Sequence, residues 1–179
     1  MMGSELINQA AVMVLLSEGP GGERVLLTRR AEHLNQHAGE IALPGGKWEP
    51  ADPDLLTTAL RETHEEVGIP PWKVEVLGTL PAAYTRRGVK VTPYIGRVAH
   101  DVELVANLEE LDEMFWIPVE FLKQDKRKRT DRYQHLGKVF WAPAYVYEQH
   151  LVWGFTARVL VELLRVHYGV VLQAPEGAC

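Results

Sequence analysis

Cysteine is nearly absent from this chain: Cys179 stands alone, so no internal disulfide can hold the fold together. A reducing cytoplasm is therefore the expected compartment. Long apolar runs are missing as well, and a stretch such as residues 10–16 is far too short to span a bilayer. The opening Met-Met-Gly-Ser-Glu-Leu has neither the basic start nor the apolar run of a signal peptide, which leads to the expectation of a soluble protein with no membrane partner. An excess of positive charge is the third absence: 19 Lys and Arg face 24 Asp and Glu, a net charge of −5. That balance argues against a nonspecific nucleic-acid binder, whose footprint is basic. It leaves room for a phosphorylated small molecule, because one cluster of cations or a bound metal outweighs a modest net charge locally. Internal repeats and low-complexity tracts are absent too. The dense charge run at residues 123–132, with Lys126, Arg127, Lys128, Arg129 and Arg132, reads as a solvated turn or, less simply, as an anion site.

What remains is a chain of 179 residues, read as one domain over residues 1–179. A domain of that size buries roughly 70% of its unfolded surface without metals or disulfides. Apolar residues 10–16 and 25–28, separated by Glu18-Gly-Pro-Gly-Gly22, predict a hairpin. From residue 29 to residue 46 the periodicity gives way to a polar segment with His33, Asn35, Gln36, His37, Gly39 and Glu40, ending in Leu43-Pro-Gly-Gly46. Loops this long inside a compact domain tend to carry function. Helix signals follow, with Asp52 as cap, Pro53 at the first helical position, Asp54 at the positive end of the dipole and Gly68 at the left-handed C-terminal position. They predict a helix over residues 53–67. Strands are predicted at residues 74–80, 89–98, 114–117 and 139–147, and an amphipathic helix over residues 153–168. Strands before, between and after helices give the fold class, α/β in the broad sense (α+β), with a mixed sheet sandwiched by helices.

Within the first helix Glu62, Glu65 and Glu66 stand at i, i+3 and i+4 and share an arc of roughly 100°. Leu56, Leu60, Thr63 and Val67 form a neighbouring stripe suited to packing on the sheet. Like charges at this spacing destabilise a helix by a few tenths of a kcal/mol. The crowding makes sense if a divalent cation sits there, since carboxylate oxygens on one rigid face are hard ligands of the kind Mg²⁺ or Mn²⁺ accepts. A plain solvated face with Arg61 paired to Glu65 is the alternative for a lone helix. Context favours the cation: Gly45 and Gly46, whose backbone can approach a phosphate or shape a tight loop, come just before, and the polar loop carries Arg29, Arg30 and His37.

The segment from Gly45 to Ile69 resembles the signature box of the Nudix hydrolases. Its core, Arg61-Glu62-Thr63-His64-Glu65-Glu66-Val67-Gly68-Ile69, fits R-E-x-x-E-E-x-G-apolar at every fixed position, with Thr63 where an apolar residue is usual. The front of the box is one residue longer than the general pattern, and Asp52 followed by Pro53 stands in the place of its mid-box acid. Upstream, Leu26-Leu-Thr-Arg-Arg-Ala31, then Leu34, His37, Gly39, Glu40 and Leu43-Pro-Gly-Gly46, is similar to the coenzyme A pyrophosphatase branch, whose box carries the same longer front. Val91-Thr-Pro-Tyr94, Asn107-Leu-Glu-Glu110, Phe115-Trp-Ile-Pro118 and Trp153-Gly-Phe-Thr-Ala157 match further stretches of that branch. Glu40 and Leu43 differ from the Gln and Phe usual there.

The resemblance implies a Nudix-type α/β/α sandwich and metal-dependent hydrolysis of the diphosphate in coenzyme A or its thioesters, with Mg²⁺ or Mn²⁺ as cofactor. It implies Glu62, Glu65 and Glu66 as metal ligands, Glu65 directly or through water, and Arg61 as the residue that orients a glutamate. An extra acid enters from the loop before residues 114–117, either Glu109 or Glu110, with Glu110 preferred, unless both merely solvate that loop. Arg30 and His37, with Gly45 and Gly46, are the candidate substrate contacts; for His37 a hydrogen bond within its own loop is the alternative. Trp153 is read as packing the last helix on the sheet, and no role is assigned to Cys179 or His64. The partner expected is a small molecule, not nucleic acid or membrane, and a homodimer is compatible with the resemblance. Two rivals stay open. One is another nucleoside diphosphate derivative as substrate, such as ADP-ribose, NADH or a dinucleotide. The other is a binding module that has lost catalysis, against which the intact Glu62, Glu65 and Glu66 argue.

Overall fold

The computed structural model describes residues 5–178, so Cys179 and the first four residues of the opening segment lie outside the described residues. Strand β1 (Gln9–Gly19) turns back into β2 (Gly22–Arg30), as the two apolar runs predict. The strands pair only at the hairpin end, from Leu16 opposite Val25 to Gly19 opposite Gly22, and then part. Two short strands fill the gap: β3 (Ile41–Ala42) on β2 and β4 (Gly45–Lys47) on β1. Helix α1 (Leu55–Val67) follows, then β5 (Glu75–Thr79), β6 (Ala83–Tyr84) and β7 (Lys90–Arg97). Next come β8 (Leu111–Pro118) and the short α2 (Val119–Lys123), then the hairpin β9 (Arg129–His135) and β10 (Lys138–Tyr147), β11 (His150–Val152) and α3 (Gly154–His167).

The main sheet is mixed. β1 and β7 run parallel, while β8 on β2, β4 on β1, and β5 and β6 on β7 are antiparallel; β9, β10 and β11 form a second, three-stranded layer. Strand alternation divides the core in two. Ala11, Met13, Leu15 and Leu26 point to the side of α1, where Leu55, Ala59 and Val67 meet them. Val14, Leu16, Val25 and Leu27 point the other way, to Ala157, Leu160, Leu163 and Leu164 of α3. This is the α/β/α sandwich with a mixed sheet. No helix among the described residues is long and apolar enough to cross a membrane.

Three sequence expectations are corrected. Helix α1 begins at Leu55 with Asp54, not Asp52, as its cap: the Asp54 carboxylate accepts from the Thr57 backbone N–H at 2.8 Å. Asp52 is turned inward onto Arg61, and Pro53 precedes the helix. The buried face of α1 comprises Leu55, Thr58, Ala59, Thr63, Glu66 and Val67, so the stripe is rotated from the one expected, with Leu56 and Leu60 on its flank. Small Ala59, and Thr63, whose hydroxyl folds back to the Ala59 carbonyl at 2.7 Å, let the helix sit close to β1 on that face. The rotation carries Glu66 into the interior. The charge run at residues 123–132 is also more than a solvated turn, because β9 begins inside it. There Arg127 pairs with Asp125 at 2.8 Å and lies over the Trp141 ring at 4.9 Å.

Gly68 ends α1 in the left-handed region at φ 76°, its N–H donating to the His64 carbonyl at 3.0 Å. Loss of the cap at the other end is a direct test of the start assigned here. Asp54→Ala is expected to lower stability by about 1 kcal/mol, seen as a lower urea midpoint with an unchanged slope, whereas an unchanged midpoint would place the cap elsewhere.

Candidate active site

Strand β4 lies across the N-terminal half of the site because β1 and β2 diverge, and its two glycines allow it to lie there. A Cβ on Gly45 would come within 2.3 Å of the Ala11 carbonyl oxygen, and one on Gly46 within 2.6 Å of Glu62 Cδ. The first contact is with backbone of the neighbouring strand. The second is with a carboxylate projecting from α1, so the absence of a side chain at Gly46 is the space Glu62 occupies.

Under this strand three carboxylates converge. Glu62 and Glu66 project from α1 and Glu110 from the loop ahead of β8, each offering an oxygen within 4.8 Å of the others. The loop is brought in by backbone pairing: the Asn107 N–H donates to the Glu66 carbonyl at 2.9 Å, and the Ala31 N–H to the Glu110 carbonyl at 2.9 Å. Glu66 is only 5% exposed. Its carboxylate accepts one long hydrogen bond, from the Gly45 N–H at 3.4 Å. Burial first, then the charges of Glu62 and Glu110, push its pKa up to about 8. Burial also raises the Glu62 carboxyl, against the opposing pull of Arg61.

A buried carboxylate with two like-charged neighbours and one weak donor is unstable as an anion unless a cation joins it. Three oxygen donors with no sulfur or nitrogen among them suit a hard divalent ion. The residues present therefore fit Mg²⁺ or Mn²⁺.

Arg61 stands beside this group and is itself gripped. Its Nε and one terminal nitrogen donate to the two oxygens of Asp52, each at 2.9 Å, and the other terminal nitrogen donates to Glu62 Oε1 at 2.9 Å. Asp52 is buried at 4% exposure and also accepts from the Thr58 hydroxyl at 2.8 Å and the Glu49 N–H at 3.1 Å. The Arg61 hydrogen bonds are the main reason its carboxyl is held down to about 2. Asp52 thus fixes Arg61, and Arg61 fixes Glu62. Sequence reading took Asp52 for a helix cap; its place nine residues before an arginine at the head of an acidic cluster was the available signal.

The other candidates fall into two groups. Arg30 lies close enough for its charge to be felt at Glu66; it donates to the Gln36 carbonyl at 3.4 Å, and its buried Nε has no partner among the described residues. Glu65 is not in the converging group: its half-exposed carboxylate sits 3.4 Å from Arg61. His37, at a left-handed φ of 57°, turns to Glu40 of its own loop at 2.9 Å. The Glu109 carbonyl accepts from His33 Nε2–H at 2.9 Å, while the Glu110 side chain reaches the cluster. Trp153 stands immediately before α3.

Comparison with known proteins gives a consistent pattern. The family model described as NUDIX domain matches residues 7–136. The uncharacterized Nudix hydrolase NudL of Enterobacter sp. (strain 638) is 37% identical over 166 residues, covering 90% of this chain and 85% of its own. Its namesake in Salmonella typhimurium is 38% identical over 169 residues, with the same coverage of 90% and 85%. Among solved structures, the M. smegmatis Nudix hydrolase RenU aligns with a TM-score of 0.62 over 93% of this chain and 89% of its own at 22% identity. A C. elegans Ap4A hydrolase binary complex aligns with a TM-score of 0.55 over 65% and 84% at 19% identity. At these identities the two structures speak for the fold.

Two outcomes are expected from this geometry. The Asp52 carboxyl titrates at about 2 in the folded chain against 3.8 ordinarily, so it stabilises the fold fully above about pH 4 and loses that contribution as the pH falls toward 2. The difference corresponds to about 2 kcal/mol. Asp52→Asn should lose about that much stability at neutral pH and flatten the acid limb of a urea-unfolding series. Gly46→Ala should displace the Glu62 carboxylate and weaken Mn²⁺ binding by about tenfold or more in calorimetry, with the thermal midpoint little changed; unaltered binding would contradict the assigned contact.

Proposed function

The chain belongs to the Nudix hydrolase family, and on that premise we propose that it is a pyrophosphohydrolase of nucleoside diphosphate derivatives that splits the diphosphate of coenzyme A or its thioesters into 3′,5′-ADP and 4′-phosphopantetheine. The convergence of Glu62, Glu66 and Glu110 beneath β4 supports the chemistry. The stretch of residues 26–46, similar to the coenzyme A pyrophosphatase branch, supports the substrate.

In this reading Glu62, Glu66 and Glu110 hold Mg²⁺ or Mn²⁺, with Glu65 at the exposed edge acting through water. The ion when bound neutralises diphosphate oxygens and acidifies a coordinated water. Glu110 gives one oxygen to this group, and its second oxygen orients the attacking water and takes its proton. Arg61 is a positioning residue: its charge is absorbed by Asp52 and Glu62, and it holds the latter in one rotamer. Arg30, whose Nε has no partner among the described residues and whose charge is felt at Glu66, supplies the fork for the diphosphate. His37 adds a donor from the same loop, and the backbone of Gly45 and Gly46, held close over Glu62 and Glu66, faces the diphosphate.

Chromatographic assay of the purified protein with Mg²⁺ or Mn²⁺ tests this directly. Coenzyme A should be turned over in preference to ADP-ribose, NADH and diadenosine polyphosphates, and Glu66→Gln should lower kcat by about a hundredfold or more. Preference for another member of that panel would overturn coenzyme A as substrate.

A further inference from the structure

We propose that the turn between β6 and β7 carries a subsite for the 3′-phosphate of the substrate nucleotide, with Arg86 as its principal cation. The proposal rests on coenzyme A as the substrate class.

The turn sits at the right end of the sheet. Lys47 of β4 lies opposite Ala10 of β1, Ala10 lies opposite Val91 of β7, and Val91 lies opposite Ala83 of β6. These four positions form one row, and the turn leaves that row three strand spacings, about 14 Å, from the strand that covers the acidic cluster. It is held in shape by backbone bonds, from the Thr85 N–H to the Val89 carbonyl at 3.0 Å and from the Gly88 N–H to the Thr85 carbonyl at 2.9 Å.

Its charge is of one sign. Arg86, Arg87 and Lys90 are exposed, and none of the three has a carboxylate at ion-pair distance among the described residues. By contrast Arg29, Arg61, Arg97, Arg127 and Arg129 each hold one. In a protein of net charge −5 this is a local reversal of sign.

Its surroundings are aromatic. The Arg86 guanidinium lies 5.6 Å from the centre of the Trp153 ring, and Tyr84 is stacked on His135 at 5.2 Å and 24°. Tyr84 remains 42% exposed. Trp153 is fastened to the loop that enters the site, because Thr156, one turn further along α3, donates its hydroxyl to the Ile41 carbonyl at 2.9 Å, and Ile41 begins the strand just before Leu43-Pro-Gly-Gly46. Stacking on Trp153 orients a guanidinium while leaving its N–H fork free. A monoester phosphate accepts such a fork in a bidentate manner, and the base of the same nucleotide has flat aromatic neighbours. The acidic cluster cannot serve this second anion, and the basic turn can.

Calorimetric titration of the full chain with 3′,5′-ADP and 5′-AMP is the test. The wild type should bind 3′,5′-ADP about tenfold more tightly or better, and Arg86→Ala should abolish most of that preference without weakening 5′-AMP, while Arg86→Lys keeps part of it. In turnover, the preference for coenzyme A over its 3′-dephospho form should shrink in Arg86→Ala through KM. Equal binding of the two nucleotides by the wild type, or equal loss of both in the variant, would overturn the subsite even if coenzyme A is hydrolysed. If coenzyme A is not hydrolysed but the preference for 3′,5′-ADP persists through Arg86, the substrate reading falls and the subsite stands.

Discussion

The site is organised around the problem of a carboxyl group buried beside two others. Glu66 is almost fully enclosed, has Glu62 and Glu110 within reach, and among the described residues receives a single long hydrogen bond, from Gly45. Desolvation and like-charge repulsion both act against the anion, so near neutral pH the group either holds a proton or shares its charge with a cation. The same pair of effects that raises its proton affinity makes it a strong seat for a divalent ion. Most of the neighbouring structure serves to hold the three acids in this unfavourable proximity.

Two supports do that holding. Strand β4 is wedged between β1 and β2 where the hairpin opens, and Gly46 leaves the volume that Glu62 fills. On the other flank the buried Asp52 turns both oxygens to Arg61, whose other terminal nitrogen donates to Glu62 and, at longer range, to Glu65. A bidentate pair of this kind restricts orientation as well as charge. The pairing of Asn107 to the Glu66 carbonyl and of Ala31 to the Glu110 carbonyl delivers the third acid from a distant part of the chain. None of these supports needs to touch substrate.

Much of this was legible in the residues. The hairpin, both long helices and the larger strands follow from periodicity and from the glycine and proline positions, and the fixed positions of residues 61–69 mark the family. Short strands escaped because two or three residues such as Ile41–Ala42 or Gly45–Lys47 carry no periodicity and exist only through pairing with a neighbour. β9 escaped because Arg129–His135 is polar at every position but Tyr133 and so looks like a charged turn. Helical spacing put Glu62, Glu65 and Glu66 on one arc but could not say how that arc was rotated against the sheet. The small Ala59 and Thr63 decided it, sending Glu66 inward and leaving Glu65 at the edge. For Asp52 the reason is related: an aspartate before a helix caps it by default, and the spacing to Arg61 is a faint signal beside the fork that Arg61 extends to the buried carboxylate.

Anomalous diffraction from a crystal grown with Mn²⁺ bears most directly on the central claim, that the crowded carboxylates are a cation seat. The account predicts an anomalous peak in contact with oxygens of Glu62, Glu66 and Glu110. A map without a peak there, or with manganese bound only at other acidic side chains, would contradict it.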